Sequence, residues 1–390
     1  MPVPSRNRIT RRATARAVSP HGFRPWLGMA LLLVALASPA RECEPPGEDL
    51  RGEFVVHFEN DLFANTDQNY TNGVKFTWLS PALARFRTNR ELDDWQRFVI
   101  DNLASVNDWL TGRPRAEPAS KDCTRDDLQT GLASGTFRRV SFSLGQNIYT
   151  PQDIGRSDLI VDDRPYAGWL YASAAFQTYD ERRLDIMEVQ LGVVGPYSAA
   201  QWTQTFVHEF RNIRKPRGWS NQLETEPGLV LTYERRYRFH QSLEGLSGLP
   251  LAVDLLPRAG FAVGNVHDFV TIGSEARIGW NLPKNFGNAI IRPGGDAGQL
   301  EANHGFHLHG FAAADARFVL RDLFLDGNTF AGSHSVKKER LVGDFSVGIS
   351  TGYGPFRLTV ARVLRTREFA QQDGPHRFGA IALTGQFALP

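Results

Sequence analysis

Along most of the chain, apolar residues recur at every second position. Met187, Val189, Leu191 and Val193 alternate with Glu188, Gln190 and Gly192; Val74, Phe76 and Trp78 alternate with Lys75 and Thr77; Ile381, Leu383 and Phe387 alternate with Ala382, Thr384 and Gln386. Successive side chains of a β-strand point to opposite faces, so this period produces one apolar face and one polar or small face. Read throughout, it predicts twelve strands, near 52–60, 70–80, 138–149, 166–180, 183–195, 228–240, 250–265, 268–280, 306–321, 341–352, 355–366 and 376–388. Many are longer than the ~5–6 residues usual in soluble sheets and match the ~9–11 that a tilted strand needs to cross a bilayer. The fold class expected is therefore all-β, a twelve-stranded antiparallel transmembrane β-barrel. Aromatic residues near strand ends, among them Trp78, Tyr149, Trp169, Tyr179 and Trp280, suit interfacial girdles, although a soluble β-sandwich also alternates.

An even strand count brings both termini to the same side, which sorts the connections by parity. Those near 61–69, 150–165, 196–227, 322–340 and 367–375 gather at one end, expected to be the cell exterior. Those near 81–137, 181–182, 241–249, 281–305 and 353–354 gather at the other. Two connections carry helical spacing. Leu92, Trp95, Phe98, Val99, Leu103 and Trp109 predict an amphipathic helix within an insertion at 81–137 between strands 2 and 3, plugging or flanking the barrel mouth. A short helix over the barrel is expected around 201–212.

Composition changes the picture at the N-terminus. Arg6, Arg8, Arg11, Arg12, Arg16 and Arg24 stand without an acidic residue ahead of an apolar run from Trp26 to Ala37 and the small residues Ser38, Pro39 and Ala40. That order reads as a signal peptide over 1–40, which leaves 41–390 as the barrel domain. Losing its six arginines takes the formal charge from +2 to −4, which removes the case for a nucleic-acid partner. Beyond the leader no apolar run reaches the ~18 residues of a membrane helix, so membrane entry has to be by strands. Cys43 and Cys123 lie outside the predicted strands and lack metal-site spacing; an exported chain could pair them.

Three polar clusters fall on the connections of the outer end. Glu59-Asn60-Asp61 closes strand 1 and faces Asn69-Tyr70-Thr71-Asn72-Gly73 at the opening of strand 2. Their oxygens are hard ligands of the kind Ca²⁺ selects, and they are also the ordinary content of a hairpin turn. Strand alternation points Asn60 outward and Asp61 inward, unless a bulge intervenes. On the 196–227 connection, Gln204 and His208 stand one helical turn apart, where a neutral imidazole could take a proton from water; a solvated loop histidine reads the same way. Asp162-Asp163-Arg164-Pro165-Tyr166-Ala167-Gly168 leads into strand 4. Arg164 and the nearby Arg156 could grip an anionic headgroup or fix the loop through an Asp–Arg pair. There is no P-loop, no His-Glu-x-x-His pair and no Gly-x-Ser-x-Gly elbow.

These clusters, together with Gln146-Asn147-Ile148-Tyr149-Thr150-Pro151, Gly192-Val193-Val194-Gly195-Pro196 and Pro216-Arg217-Gly218-Trp219, resemble the LpxR family of outer-membrane lipid A 3'-O-deacylases over most of the mature chain. The resemblance implies a twelve-stranded barrel that hydrolyses the 3'-linked acyloxyacyl ester of lipid A. It implies a Ca²⁺ ion polarising the carbonyl, with Asp61 and Asn60 as ligands, and His208 as the general base. Asn60 and Thr71 become positioning or oxyanion-side groups, with Gln204 facing the same site; Arg156 and Arg164 stay, from their own chemistry, the expected substrate contacts. Lipid A or lipopolysaccharide is then the substrate, the outer membrane the location, and a monomer the expected state. Where the family pattern has a further acidic ligand a few positions after the histidine, this chain has Arg214; Glu209 is the carboxylate at hand. The competing readings are a phospholipase-type esterase and a catalytically silent barrel serving as pore or scaffold.

Overall fold

The computed structural model describes residues 51–61, 69–80, 106–107, 109, 111–112, 137–287 and 305–388. The leader, both cysteines and most of the 81–137 insertion lie outside them. The strands are β1 (Arg51–Asn60), β2 (Asn69–Leu79), β3 (Phe137–Thr150), β4 (Ala167–Tyr179), β5 (Arg183–Val194), β6 (Glu226–Tyr237), β7 (Phe239–Ser242), β8 (Leu251–Gly264), β9 (His267–Trp280), β10 (Phe306–Asp322), β11 (Leu341–Tyr353), β12 (Phe356–Arg365) and β13 (His376–Ala388). Each pairs antiparallel with its neighbours, β1 pairs with β13, and β6 pairs with β8, so the sheet closes. Strands β6 and β7 share one register on β8, with Arg236 opposite Arg258 and Phe239 opposite Leu255. They form a single stave interrupted at Arg238. The result is the closed twelve-stranded barrel that the alternation predicts.

The wall is inside-out relative to a soluble protein. Phe54, Phe76, Leu144, Leu191, Ile272, Val347 and Val360 are exposed on the outer face. Glu53, His57, Lys75, Glu188, Glu234, Arg258 and Arg277 are buried in the lumen. An apolar band outside a polar interior is what hydrocarbon demands of a barrel. Lumenal charges are matched: Arg139 donates to Glu53 at 2.9 Å, Arg277 Nε to Asp254 at 2.9 Å and Arg258 Nε to Asp315 at 2.6 Å. Unmatched, such charges would carry a desolvation cost of several kcal/mol per ion.

Among the described residues, apolar side chains from the connections fill space at each end of the lumen. At one end Leu323, Phe324 and Leu325 of the short helix Leu323–Asp326 are buried, and the Phe324 ring stacks on Tyr149 with centroids 4.2 Å apart. At the other end Phe286 packs against Ala175, Tyr179, Leu184 and Ile186, while the carbonyls of Pro283 and Asn285 accept from Arg277 at 3.0 Å each. The 281–287 connection is therefore the lower plug. The described helical residues of the long insertion flank the wall instead. Thr178, on the outer face of β4, donates to Asn107 at 2.8 Å, and Arg235 donates to the carbonyl of Thr111 at 3.4 Å. Between the plugs a cavity of about 90 Å³ is lined by Glu59, Tyr70, Asn147, Gln190, Arg317 and Glu368, among others.

Candidate functional site between helix and wall

Strand register places the first cluster. Asn60 lies opposite Asn72, Asn72 opposite Ile148, and Ile148 opposite Gly168. The four form a row across β1 to β4 at one level of the rim. Alternation puts this row on the outer face of the wall, because His57 and Glu59 of β1 and Tyr149 and Trp169 of the neighbouring strands are buried on the lumenal side. Asn60 and Asn72 are buried too, unlike Phe54 and Phe76 lower on the same face, so the row is covered at the rim. Thr71 falls at the register shift between Tyr70 and Asn72. Asp61 is buried at the end of β1, one residue beyond the row.

Helix α1 (Ala200–Phe210) packs on the outer wall at this rim. Gly168 explains how it approaches so closely: a Cβ there would stand 2.0 Å from Ser198 Oγ and 2.3 Å from Ala200 Cβ. Ala200 packs with Ile148, Tyr166 and Trp219, and Gln146 Nε2 donates to the Ser198 carbonyl at 2.7 Å. Gly195, at φ 83°, turns the chain out of β5, and Ala199, at φ 58°, opens the helix in the left-handed region. The connection is also stitched to the start of β4, since Leu223 N donates to the Tyr166 carbonyl at 2.9 Å.

The helix turns its polar residues inward. Ala200, Gln204 and His208, spaced four apart, share one face and are its buried residues; Gln204 is 3% exposed and His208 2%. His208 Nδ1 lies 2.5 Å from the carbonyl oxygen of Arg214, which can only accept, so Nδ1 carries the hydrogen and Nε2 the lone pair. Gln204 is oriented as firmly. Trp219 Nε1 donates to its Oε1 at 2.9 Å, leaving Gln204 Nε2 a buried donor without a hydrogen-bond partner. A covered face holding an imidazole with a basic nitrogen and an uncommitted amide donor can deprotonate water and bind a developing oxyanion.

The two arginines separate. The Arg164 side chain is 0% exposed; it donates to Glu368 at 3.2 Å and lies 4.9 Å over the Tyr149 ring. Its Nη1 is paired at the inner side of the rim, while its buried Nε and Nη2 have no hydrogen-bond partner. Asp163 accepts from Gln152 N and Arg164 N at 2.7 Å each. Arg156 is exposed and paired with Asp158, its Nε 3.2 Å from Oδ1. That pairing keeps its guanidinium above the ordinary arginine value through the hydrogen bond to Asp158.

As a calcium site the oxygen chemistry fits in part. Asp61 contributes a carboxylate, and Asn60 and Asn72 contribute hard amide oxygens. No group of three His, Cys, Asp or Glu side chains poised for a metal occurs among the described residues. At Arg214 the main-chain oxygen is already engaged by His208. The donors suit an ion whose shell is completed by water and by a ligand's own oxygens.

Over residues 27–387 the sequence matches the family described as outer membrane protein LpxR. The chain belongs to the LpxR family. A solved structure of LpxR from Salmonella typhimurium superposes with a TM-score of 0.63 at 16% identity, covering 86% of this chain and 100% of that one. The β domain of the Bordetella autotransporter BrkA (TM-score 0.35, 7% identity, 87% and 99% covered) and the translocator domain of NalP from Neisseria meningitidis (0.37, 7%, 93% and 94%) are far less similar. No curated protein sequence matches the chain. LpxR membership places the barrel in the outer membrane and supports lipid A deacylation at the level of the family. The sequence marks Asn72 within the 69–73 cluster and Trp219 within the Pro216–Trp219 stretch without giving either a role, and it carries no signal for the Arg214 main chain.

Proposed function

We propose that this LpxR-family protein is an outer-membrane carboxylic ester hydrolase that removes the 3'-linked acyloxyacyl group of lipid A, with its long-loop end and site facing the cell exterior. The observation that carries the reading is the buried face of α1, where the Arg214 carbonyl holds the His208 ring and Trp219 holds Gln204 against the outer wall. His208 Nε2 takes a proton from water as the water oxygen bonds to the ester carbonyl carbon. Gln204 Nε2 donates to the oxygen that becomes negative. When the carbon–oxygen ester bond breaks, the imidazolium returns the proton to the departing alkoxide, giving a free carboxylic acid and a sugar hydroxyl. Asn60 and Asn72 position the ester from the wall side. Asp61 with Asn60 would hold Ca²⁺, which when bound polarises the ester carbonyl. Arg156, on the exposed rim, is placed to exchange Asp158 for a substrate phosphate.

The test incubates the purified protein in Ca²⁺ with lipid A and, separately, with phospholipid, and reads the products by mass spectrometry. The proposal expects lipid A to lose the mass of one acyloxyacyl group, and His208→Ala to lower the rate ~10²–10⁴-fold. Cleavage of phospholipid with lipid A untouched would replace it with the phospholipase-type reading. Hydrolysis unaffected by His208→Ala would remove His208 from the chemistry.

A further inference from the structure

The face of α1 turned away from the wall is aromatic. Trp202, Phe206 and Phe210 follow one another four residues apart and are 68%, 54% and 84% exposed. At 100° per residue this stripe lies on nearly the opposite side of the helix from Ala200, Gln204 and His208. The Trp202 and Phe206 rings stack with centroids 5.6 Å apart and planes 13° apart, making a flat apolar surface. The helix thus buries polar residues and exposes aromatic ones, the reverse of a helix on a water-soluble protein. In water, a contiguous patch of three large aromatic side chains would be a liability.

What covers the stripe follows from where the helix sits. It packs on the outer wall at Ile148, and two outward positions lower on β3 stands Leu144, exposed, with Leu191 exposed on β5 nearby. The stripe is therefore continuous with the lipid-facing band of the barrel. Polar and charged groups mark its other boundary. Beyond the helix C-terminus Lys215 pairs with Glu209 at 2.6 Å and Arg214 with Asp153 at 3.4 Å, all exposed; Tyr197, exposed before the helix, suits an interfacial level.

We infer that α1 lies in the membrane interface with Trp202, Phe206 and Phe210 inserted among the acyl chains of the leaflet. The helix is a lipid-seated wall of the site, and a chain reaches the Gln204 and His208 face sideways from the bilayer instead of through water. The lipid contact holds whether or not that face hydrolyses an ester.

The test compares the full-length protein with Trp202→Phe in phosphatidylcholine vesicles whose acyl chains carry bromine near mid-chain; the difference emission isolates Trp202. The expected result is that brominated chains quench more than half of that emission while aqueous iodide leaves it unchanged. Quenching by iodide without quenching by brominated lipid would overturn the inference, showing the stripe in water. Protection from both quenchers would also overturn it, showing the stripe covered by protein such as a second copy of the chain. Trp202→Phe keeps an aromatic ring in place, and an unshifted heat-modifiable gel band verifies that the barrel folds. If Phe206→Gln with Phe210→Gln raises KM for substrate in vesicles but not for detergent-dispersed substrate, the stripe serves access; equal KM changes would overturn the sideways route.

Discussion

The side chain of His208 is oriented by the main chain of Arg214, whose carbonyl oxygen stands 2.5 Å from Nδ1. A main-chain acceptor thus orients the imidazole, and that task does not depend on which side chain residue 214 carries. The Arg214 guanidinium instead pairs with Asp153 at 3.4 Å on the exposed rim, an arrangement of ~0–1 kcal/mol. Arg214→Ala should therefore leave kcat/KM within about threefold and leave the acid limb of its pH profile in place. A tenfold loss would show that the side chain, not the carbonyl, sustains the histidine.

Trp219 holds the Gln204 amide by one hydrogen bond of 2.9 Å. Trp219→Phe keeps the packing against Tyr166 and Ile148 but leaves Gln204 Oε1 without its donor, at a cost of about 1–3 kcal/mol. Freed to rotate, the amide presents its nitrogen to the site only part of the time. The expected outcome is a kcat lowered roughly tenfold with KM little changed. A change confined to KM would assign Gln204 to substrate binding.

Gly168 sets the distance between helix and wall. Gly168→Val drives the new side chain into Ser198 and Ala200 and should displace the start of α1 while β4 keeps its pairing with β3 and β5. Hydrolysis should fall at least a hundredfold in a protein that still shows the heat-resistant band of a folded barrel. Wild-type activity in Gly168→Val would mean that α1 need not rest on the wall.

Glu368, on the 366–375 connection, carries a testable pH dependence. Burial pushes its carboxyl up, but Arg365 and Arg164 outweigh that and hold it below the ordinary 4.5. A carboxylate with a depressed folded value stabilises the fold fully above the unfolded value and loses that contribution as pH falls through the folded one. Glu368→Gln should thus destabilise the protein by ~3–5 kcal/mol at pH 7, through the buried Arg164 it leaves behind. The gap to wild type should narrow as the pH falls below the ordinary carboxylate value and through the lowered one. Urea titration by tryptophan emission across that range measures it, and a gap independent of pH would reject the ion pair as its cause.

The plugs formed by the helix Leu323–Asp326 and by the 281–287 connection bear on the pore reading. Planar-bilayer recordings should show no stable open channel, and truncating Phe324 and Phe286 to Ala together should raise leakage. A steady conductance in the wild type would restore the pore hypothesis.

The staves were legible along the chain because period two is a local property: each strand needs only its own residues to declare an apolar and a polar face. Parity then gathered Asn60, His208 and Arg164 at one end from the strand count alone, and the register bears out that grouping. The helix carrying Gln204 and His208 was legible for the same reason. Tertiary structure decided what depends on residues distant in the chain. Arg164 meets Glu368 from a connection some 200 residues further along the chain; Trp219 reaches back to Gln204; Phe286 and Phe324 turn inward. Alternation alone put Asn60 on the outer side, yet only the packing of α1 at Gly168 made that side a covered site and not bare wall. A pattern in one strand records which side is apolar, whereas closure of the sheet and the packing of its loops choose which polar groups meet.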